Sequence, residues 1–440
     1  MSDRLVVIGG VAAGMSAASS FKRLKPESEA VVFEKDYFIS YGACSLPYYI
    51  SDDIKDINSL IALKPEVARN ERGISVFTRH EVISIDPVIK TVTAIDLDTN
   101  EKRLVPYDKL VIATGGLPIL PAFPGVKLGR VFTLRNLHDG VTIKKFIDQW
   151  SAFEPCLGHE CVYRNPFDNE KRAMQACIVG GGAIGMEMCE SLRKRGVKVA
   201  VFEKMDRVLG TMDTSITQIV EARITEEEVK LFKNYTVEGL EADNGNVANV
   251  RTEKGLYPAD MVLLVVGLRP NTGLAVDLKM ELGAAGAIRV DEYLRTSIPD
   301  VYAAGDCAEA VHIVTGKKVY IPLGTTANKQ GRIAGENAAG LNNKFEGIAG
   351  TAVTKIFDLE VARTGLSPIE ATREGLDYFV STIQGRSRSS AYPEGKMIAV
   401  TYIVEKGSGR LLGAQMAGAE GVAHRIDTLA TALYNKMTVA

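Results

Sequence analysis

At 440 residues the chain is longer than one average domain and suggests two to four. Its 52 basic and 54 acidic side chains leave a formal charge of −2, so no basic excess is available to grip a phosphate backbone and nucleic-acid binding is disfavoured. A composition of 46% apolar and 24% charged residues excludes a disordered or fibrous chain, and no apolar run approaches the ~20 residues of a membrane helix.

Residues 5–8 read as a short buried parallel strand. It runs into Gly9-Gly10-Val11-Ala12-Ala13-Gly14 and then a small-residue helix from Met15 to about Leu24. Arg4 ahead of this apolar run imitates a signal peptide, but the glycine spacing has a better explanation. A second strand, residues 31–33, ends in Glu34-Lys35. Residues 80–97 and 105–113 read as a β-meander covering a sheet, and Val111-Ile112-Ala113 is a strand running into Thr114-Gly115-Gly116. The opening grammar then returns. Strand 177–179 leads into Gly180-Gly181-Gly182-Ala183-Ile184-Gly185, a helix from Met186 to about Arg195, and a strand 197–202 ending in Glu203-Lys204. Residues 247–266 read as a second meander, and Gly267 closes a strand as Gly115 does. Residues 296–306 read as a strand delivering the Asp306 carboxylate at its end. From about Lys344 the pattern changes to strands at 353–357, 396–404 and 411–416 and a helix near 422–435, which marks a separate C-terminal domain.

The echo carries the functional content. Strand, glycine turn, helix, strand and acid make a βαβ unit for a dinucleotide. Gly9 and Gly180 permit the tight turn, the middle glycine, Gly182 in the second copy, lets backbone N–H groups near a pyrophosphate, and Gly14 and Gly185 let helix pack on strand. Glu34 and Glu203 stand where a carboxylate accepts from ribose hydroxyls. The second turn is a complete G-x-G-x-x-G, whereas the first carries Val11 in the middle-glycine place. Two copies together imply an α/β fold of two Rossmann-like domains with β-meanders, plus an α+β C-terminal domain. Six cysteines are too few for a disulfide scaffold and suit a reducing cytoplasm.

The segment Ser40-Tyr41-Gly42-Ala43-Cys44-Ser45-Leu46-Pro47-Tyr48, following Glu34, resembles the single-cysteine branch of the FAD-dependent pyridine-nucleotide:disulfide oxidoreductases, which holds coenzyme A-disulfide reductases, NADH oxidases and persulfide reductases. The resemblance spans nearly the whole chain. It implies an FAD domain at 1–125 and 272–343, an NAD(P)H domain at 126–271 and a dimerisation domain at 344–440, hence a homodimer. FAD would lie on Gly9, Gly10, Ala12 and Gly14, with Glu34 and Lys35 at its adenosine and Ser40, Val82, Thr114, Gly115, Asp306, Thr326 and Ala327 lining the rest. NADH would take Gly180, Gly182, Ile184, Gly185, Glu203 and Gly267, with Glu187 near the nicotinamide. A 2′-phosphate would face the Glu203 carboxylate, while Lys204 leaves NADPH open.

Cys44 would be the catalytic nucleophile: a thiolate-prone sulfur at the flavin face that passes electrons to a low-molecular-weight disulfide, persulfide or polysulfide. Loosely matched coenzyme A contacts are Ser16, Ser20, Arg23, Arg72, Asn328 and Tyr392. Two departures stand out. The first glycine turn lacks the His that accompanies peroxide chemistry in this family. Where coenzyme A-disulfide reductases have Tyr-Tyr-Pro, this chain has Ala391-Tyr392-Pro393, and their second tyrosine would lie beyond Ala440. The alternatives are an electron-transfer subunit for an iron–sulfur partner and an NADH oxidase reducing O₂. Residues 149–173 look inserted. Cys156, His159 and Cys161 there form an incomplete zinc set and imply no metal site. Cys177, Cys189 and Cys307 read as structural.

Overall fold

The computed structural model describes residues 3–151 and 173–439, which form two compact units. The first comprises residues 1–43, 58–117 and 268–348. Its core is a parallel five-stranded sheet in the order Val301–Ala303, Lys109–Ile112, Arg4–Ile8, Glu29–Phe33, Ile74–Phe77. Leu5, Val6, Val7, Val32, Leu110 and Val111 are fully buried, as strands covered on both faces must be. The antiparallel ribbon His80–Asp86, Thr91–Asp96, Lys102–Pro106 is the expected meander. It ends earlier than the sequence suggests. Tyr107 is buried, the Asp108 carboxylate accepts the Arg4 N–H at 2.6 Å, and the next residues join the parallel sheet.

Helix Ala12–Leu24 begins three residues before the expected Met15, because the Met15 N–H already bonds the Val11 carbonyl at 3.1 Å. It packs on helix Gly324–Ala338 at backbone contact: a Cβ on Gly331 would sit 2.1 Å from the Ala13 carbonyl oxygen, and one on Gly335 2.1 Å from that of Ala17. Glycines four apart on one helix thus meet small residues four apart on the other, a spacing that stacks them on one face. Gly331→Ala should therefore lower stability by about 1–3 kcal/mol in thermal denaturation, because backbone cannot yield to the added methyl. Gly324→Ala, where an added Cβ meets nothing within 4 Å, should leave it unchanged.

The second unit comprises residues 44–57, 118–267 and 349–440. Its parallel sheet runs Lys230–Lys233, Lys198–Glu203, Gln175–Val179, Met261–Leu264, Val131–Phe132. The second meander also stops short, at Gly255–Pro258, before Met261–Leu264 returns to the parallel sheet. An antiparallel five-stranded sheet follows, in the order Ala352–Ile356, Leu359–Gly365, Leu411–Gly418, Met397–Glu405, Tyr378–Arg386. Helix Val422–Tyr434 buries Val422 and Ile426 against Ala362, Ile398 and Met416 of this sheet. The strands Leu359–Gly365 and Tyr378–Arg386 were not anticipated. Helix Leu137–Ser151 runs into the start of the segment read as inserted, with Trp150 buried, and Cys156, His159 and Cys161 lie outside the described residues. Among the described residues no helix is long and apolar enough to cross a membrane.

Candidate functional site

All five strands of the first unit's sheet are parallel, so their carboxyl ends share one edge, where ligands of such sheets bind. Four strand ends and two helix starts converge there. Gly9 leaves its strand at φ 103°, a left-handed conformation open to glycine, and a Cβ there would strike the Ala113 carbonyl oxygen at 2.2 Å. Gly14 presses against Gly9, 1.8 Å from the Gly9 oxygen to an ideal Cβ. Gly305, one residue before Asp306, has φ 82° and no room beside Ala13 and Ala327. The Thr114 hydroxyl donates to the Asn271 carbonyl at 2.6 Å, which sets the turn carrying Gly115. Glu34 is buried, and its carboxylate accepts from the N–H of Gly10 at 2.7 Å and of Asp36 at 2.9 Å. Burial pushes this carboxyl up, and those two N–H groups oppose the rise.

The second unit repeats this site in detail. Gly180 has φ 112° with the Val265 carbonyl 2.6 Å from an ideal Cβ, and Gly185 lies against the Gly180 oxygen. The Glu203 carboxylate accepts from Gly181 at 2.6 Å and Met205 at 2.7 Å, as Glu34 does from Gly10 and Asp36. Ser40 and Leu209, left-handed at φ 46° and 48°, donate their N–H to the carbonyls of Gly10 and Gly181 respectively. Nothing in the sequence pattern announced this pair. Aromatic pairs repeat as well, Phe33 on Phe77 and Phe202 on Phe232.

These turns fit dinucleotides. Neither Val11 nor Gly182 caps its helix with a side chain, so the first-turn N–H groups meet no side-chain acceptor at the N-cap. An ideal Cβ on Gly182 meets nothing within 4 Å, which leaves space for a phosphate against the backbone. Val11 in the same place sits at φ −96°, outside the left-handed region that favours glycine.

Among the described cysteines, Cys44 is exposed whereas Cys177, Cys189 and Cys307 are buried. Burial holds the Cys177 thiol up at about 12 and raises those of Cys189 and Cys307. Cys44 sits in the turn Ala43–Ser45 that opens helix Leu46–Ile50. Buried Leu46 and Ile50 anchor that helix, with the Leu46 side chain filling the space over Gly140. Tyr48 of this helix lines a small pocket with Pro47, Asp53, Glu187, Glu190 and Lys355. Its hydroxyl is held protonated by burial and by Glu187 and Glu190.

The other expected residues fall into place unevenly. Thr326 and Ala327 are buried in the first turn of helix Gly324–Ala338. Val82 is buried in the meander, and Lys35 is exposed. Ser16 and Asn328 meet at 2.8 Å, as do Ser20 and Arg23 at 3.0 Å. Arg72 is exposed at the end of helix Pro65–Arg72, and Tyr392 is exposed between the strands Tyr378–Arg386 and Met397–Glu405. Ile184 lies in the first turn of helix Ala183–Lys194, and Gly267 is left-handed at φ 118°. Sequence reading missed Gln330, fully buried, which accepts from the Gly305 N–H at 2.9 Å and donates to the Glu309 carbonyl at 3.1 Å. Nothing in the sequence set it apart from the other polar residues of its helix, Asn328, Lys329 and Arg332 among them.

Comparison with known proteins agrees with this geometry. The family model described as pyridine nucleotide-disulphide oxidoreductase matches residues 3–331, and its dimerisation-domain model matches 351–440. A Pyrococcus abyssi protein called NAD(P)H sulfur oxidoreductase (CoA-dependent) is 37% identical over 435 residues, 99% of this chain and 91% of its own. A Methanocaldococcus jannaschii protein called NADH oxidase is 34% identical over 436 residues, 99% of this chain and 92% of its own. The solved NAD-dependent persulfide reductase from A. fulgidus superposes with a TM-score of 0.91 at 36% identity, covering 99% of this chain and 77% of that one.

Proposed function

Because the chain belongs to the pyridine nucleotide-disulphide oxidoreductase family, whose members use FAD and NAD(P)H, we propose that it passes electrons from NADH through FAD and Cys44 to a low-molecular-weight disulfide, persulfide or polysulfide. The observation that carries this reading is Cys44, the one exposed thiol among the described residues, in a chain with two matched dinucleotide turns. FAD, when bound, accepts a hydride from NAD(P)H and stores two electrons.

The residues of the first turn hold FAD, with Glu34 at its ribose, in a domain of residues 1–125 and 272–343. Those of the second hold NADH in residues 126–271, with Glu187 beside the nicotinamide. The Cys44 thiolate attacks the acceptor's S–S bond, forming a mixed disulfide and releasing one thiolate. Two electrons and a proton then restore the Cys44 thiolate and free the second thiol. Cys44 has no neighbouring cysteine in its segment, so those electrons come from the nicotinamide side. Ser16 with Asn328 and Ser20 with Arg23 are offered as contacts for a coenzyme A-type substrate, Arg23 suiting a phosphate.

Exposed apolar side chains on the outer C-terminal strands, among them Phe379, Ile383 and Met397, support a homodimer through residues 344–440. A cytoplasmic setting suits a reactive thiol.

Anaerobic NADH titration tests the proposal. The yellow protein should bleach with NADH and recover its colour rapidly with coenzyme A disulfide or polysulfide. Recovery with O₂ alone would point to an oxidase, recovery with an iron–sulfur protein alone to an electron-transfer subunit, and either result would overturn the sulfur reading. Cofactor choice is a further check. Glu203→Ala removes the carboxylate that would face a 2′-phosphate, beside exposed Lys204. It should shift the NADH:NADPH ratio of kcat/KM toward NADPH by about tenfold, the effect of ~1.4 kcal/mol.

A further inference from the structure

Strand Ala352–Ile356, at the edge of the C-terminal sheet, touches helix Ala183–Lys194 through two consecutive residues. The Thr354 hydroxyl donates to Glu187 Oε1 at 2.5 Å. Lys355 Nζ reaches Glu190 Oε1 at 2.6 Å, and the Phe357 N–H donates to Glu190 Oε2 at 2.9 Å. Glu187 and Glu190 are neighbours on one helix face, where like charges repel. Glu190 is nearly fully buried and neutralised by Lys355 and by Lys194 at 2.9 Å. Among the described residues Glu187 has no such cation. The charged and titratable groups around it are Glu190 on its own helix, Tyr48 and Asp53 from residues 44–57, and Lys355, already engaged by Glu190. Burial raises its carboxyl, the Thr354 hydroxyl opposes that rise, and Glu190 adds to it.

We infer that Thr354 is a positioning residue that fixes the orientation and the charge of Glu187, so that the C-terminal sheet tunes the hydride-donating step. This rests on the proposal that Glu187 lies beside the nicotinamide. When NADH gives up its hydride the ring becomes cationic, and an ionised carboxylate stabilises that charge whereas a protonated one does not. A hydroxyl that donates to the carboxylate favours the ionised form. It also pins one rotamer of a side chain that otherwise faces Glu190.

The test uses the full-length holoprotein and reads ionisation as well as rate. The Glu187 carboxyl is titrated by infrared difference, with Glu187→Gln identifying its band. Thr354→Val, which keeps shape and removes the hydroxyl, should raise the midpoint by about one pH unit, the effect of losing one hydrogen bond to a charged group. The acid limb of NADH-driven flavin bleaching should move up with it, and Thr354→Ser should restore both. An unchanged midpoint in Thr354→Val, or an equal shift in Thr354→Ser, overturns the inference. The parent placement is judged separately: if Glu187→Gln bleaches with NADH at the full rate, Glu187 is not at the nicotinamide, whatever the infrared titration gives.

Discussion

Cys44→Ser should leave the protein yellow and reducible by NADH while its turnover of coenzyme A disulfide or polysulfide falls by about a thousandfold or more. The size follows from removing a nucleophile outright, since a serine hydroxyl at neutral pH cannot open an S–S bond and the remaining residues act only with it. The protein should still fold, because the side chain is exposed and its helix is anchored by buried Leu46 and Ile50. Bound FAD should be retained at wild-type stoichiometry, because the glycine turn proposed to hold it does not include residue 44. Comparing NADH bleaching with acceptor turnover in one sample separates the two halves of the reaction. Full acceptor turnover in Cys44→Ser would remove the sulfur mechanism. The same substitution at Cys307 should cost stability but not this chemistry, because that sulfur is fully buried, 3.3 Å from the Ile112 carbonyl.

Gly14→Ala should give a colourless, destabilised protein. The added methyl would lie 1.8 Å from the Gly9 carbonyl and 3.1 Å from Val7 Cγ1, and neither can retreat. Gly9 is already pinned, with the Ala113 carbonyl on its other side, and Val7 is in the core of the sheet. The helix start must move away from the strand, and the N–H groups proposed to receive the pyrophosphate move with it. A stability loss of about 3 kcal/mol, at the upper end for overpacking, and FAD occupancy below a tenth of wild type are expected from denaturant titration and flavin absorbance. Normal occupancy in Gly14→Ala would mean that FAD does not sit on this turn. Gly185→Ala, the equivalent change against the Gly180 carbonyl, should spare FAD and weaken NADH binding instead.

The βαβ echo was legible because every part of it is local. A glycine that must be left-handed, a glycine that must admit a carbonyl and an acid at the end of the next strand all fall within one short stretch, and Gly9, Gly14, Glu34, Gly180, Gly185 and Glu203 occupy the positions their types imply. Cys44 was singled out from its segment, and among the described cysteines it is exposed whereas Cys177, Cys189 and Cys307 are buried. Helix starts were read late because Ala12-Ala13-Gly14 looks like turn, although its N–H groups already serve the helix.

What the chain by itself determined is the pair of glycine turns and the segment that presents Cys44, since each turn needs a residue type that only one backbone geometry can use. The tertiary structure decided which distant side chains hold those parts in place: Gly331 against Ala13, Gln330 on Gly305, and Thr354 on Glu187 from 167 residues away. A hydroxyl, an amide or a small residue is compatible with many local conformations, so it becomes specific only when folding brings its partner within hydrogen-bond or van der Waals reach.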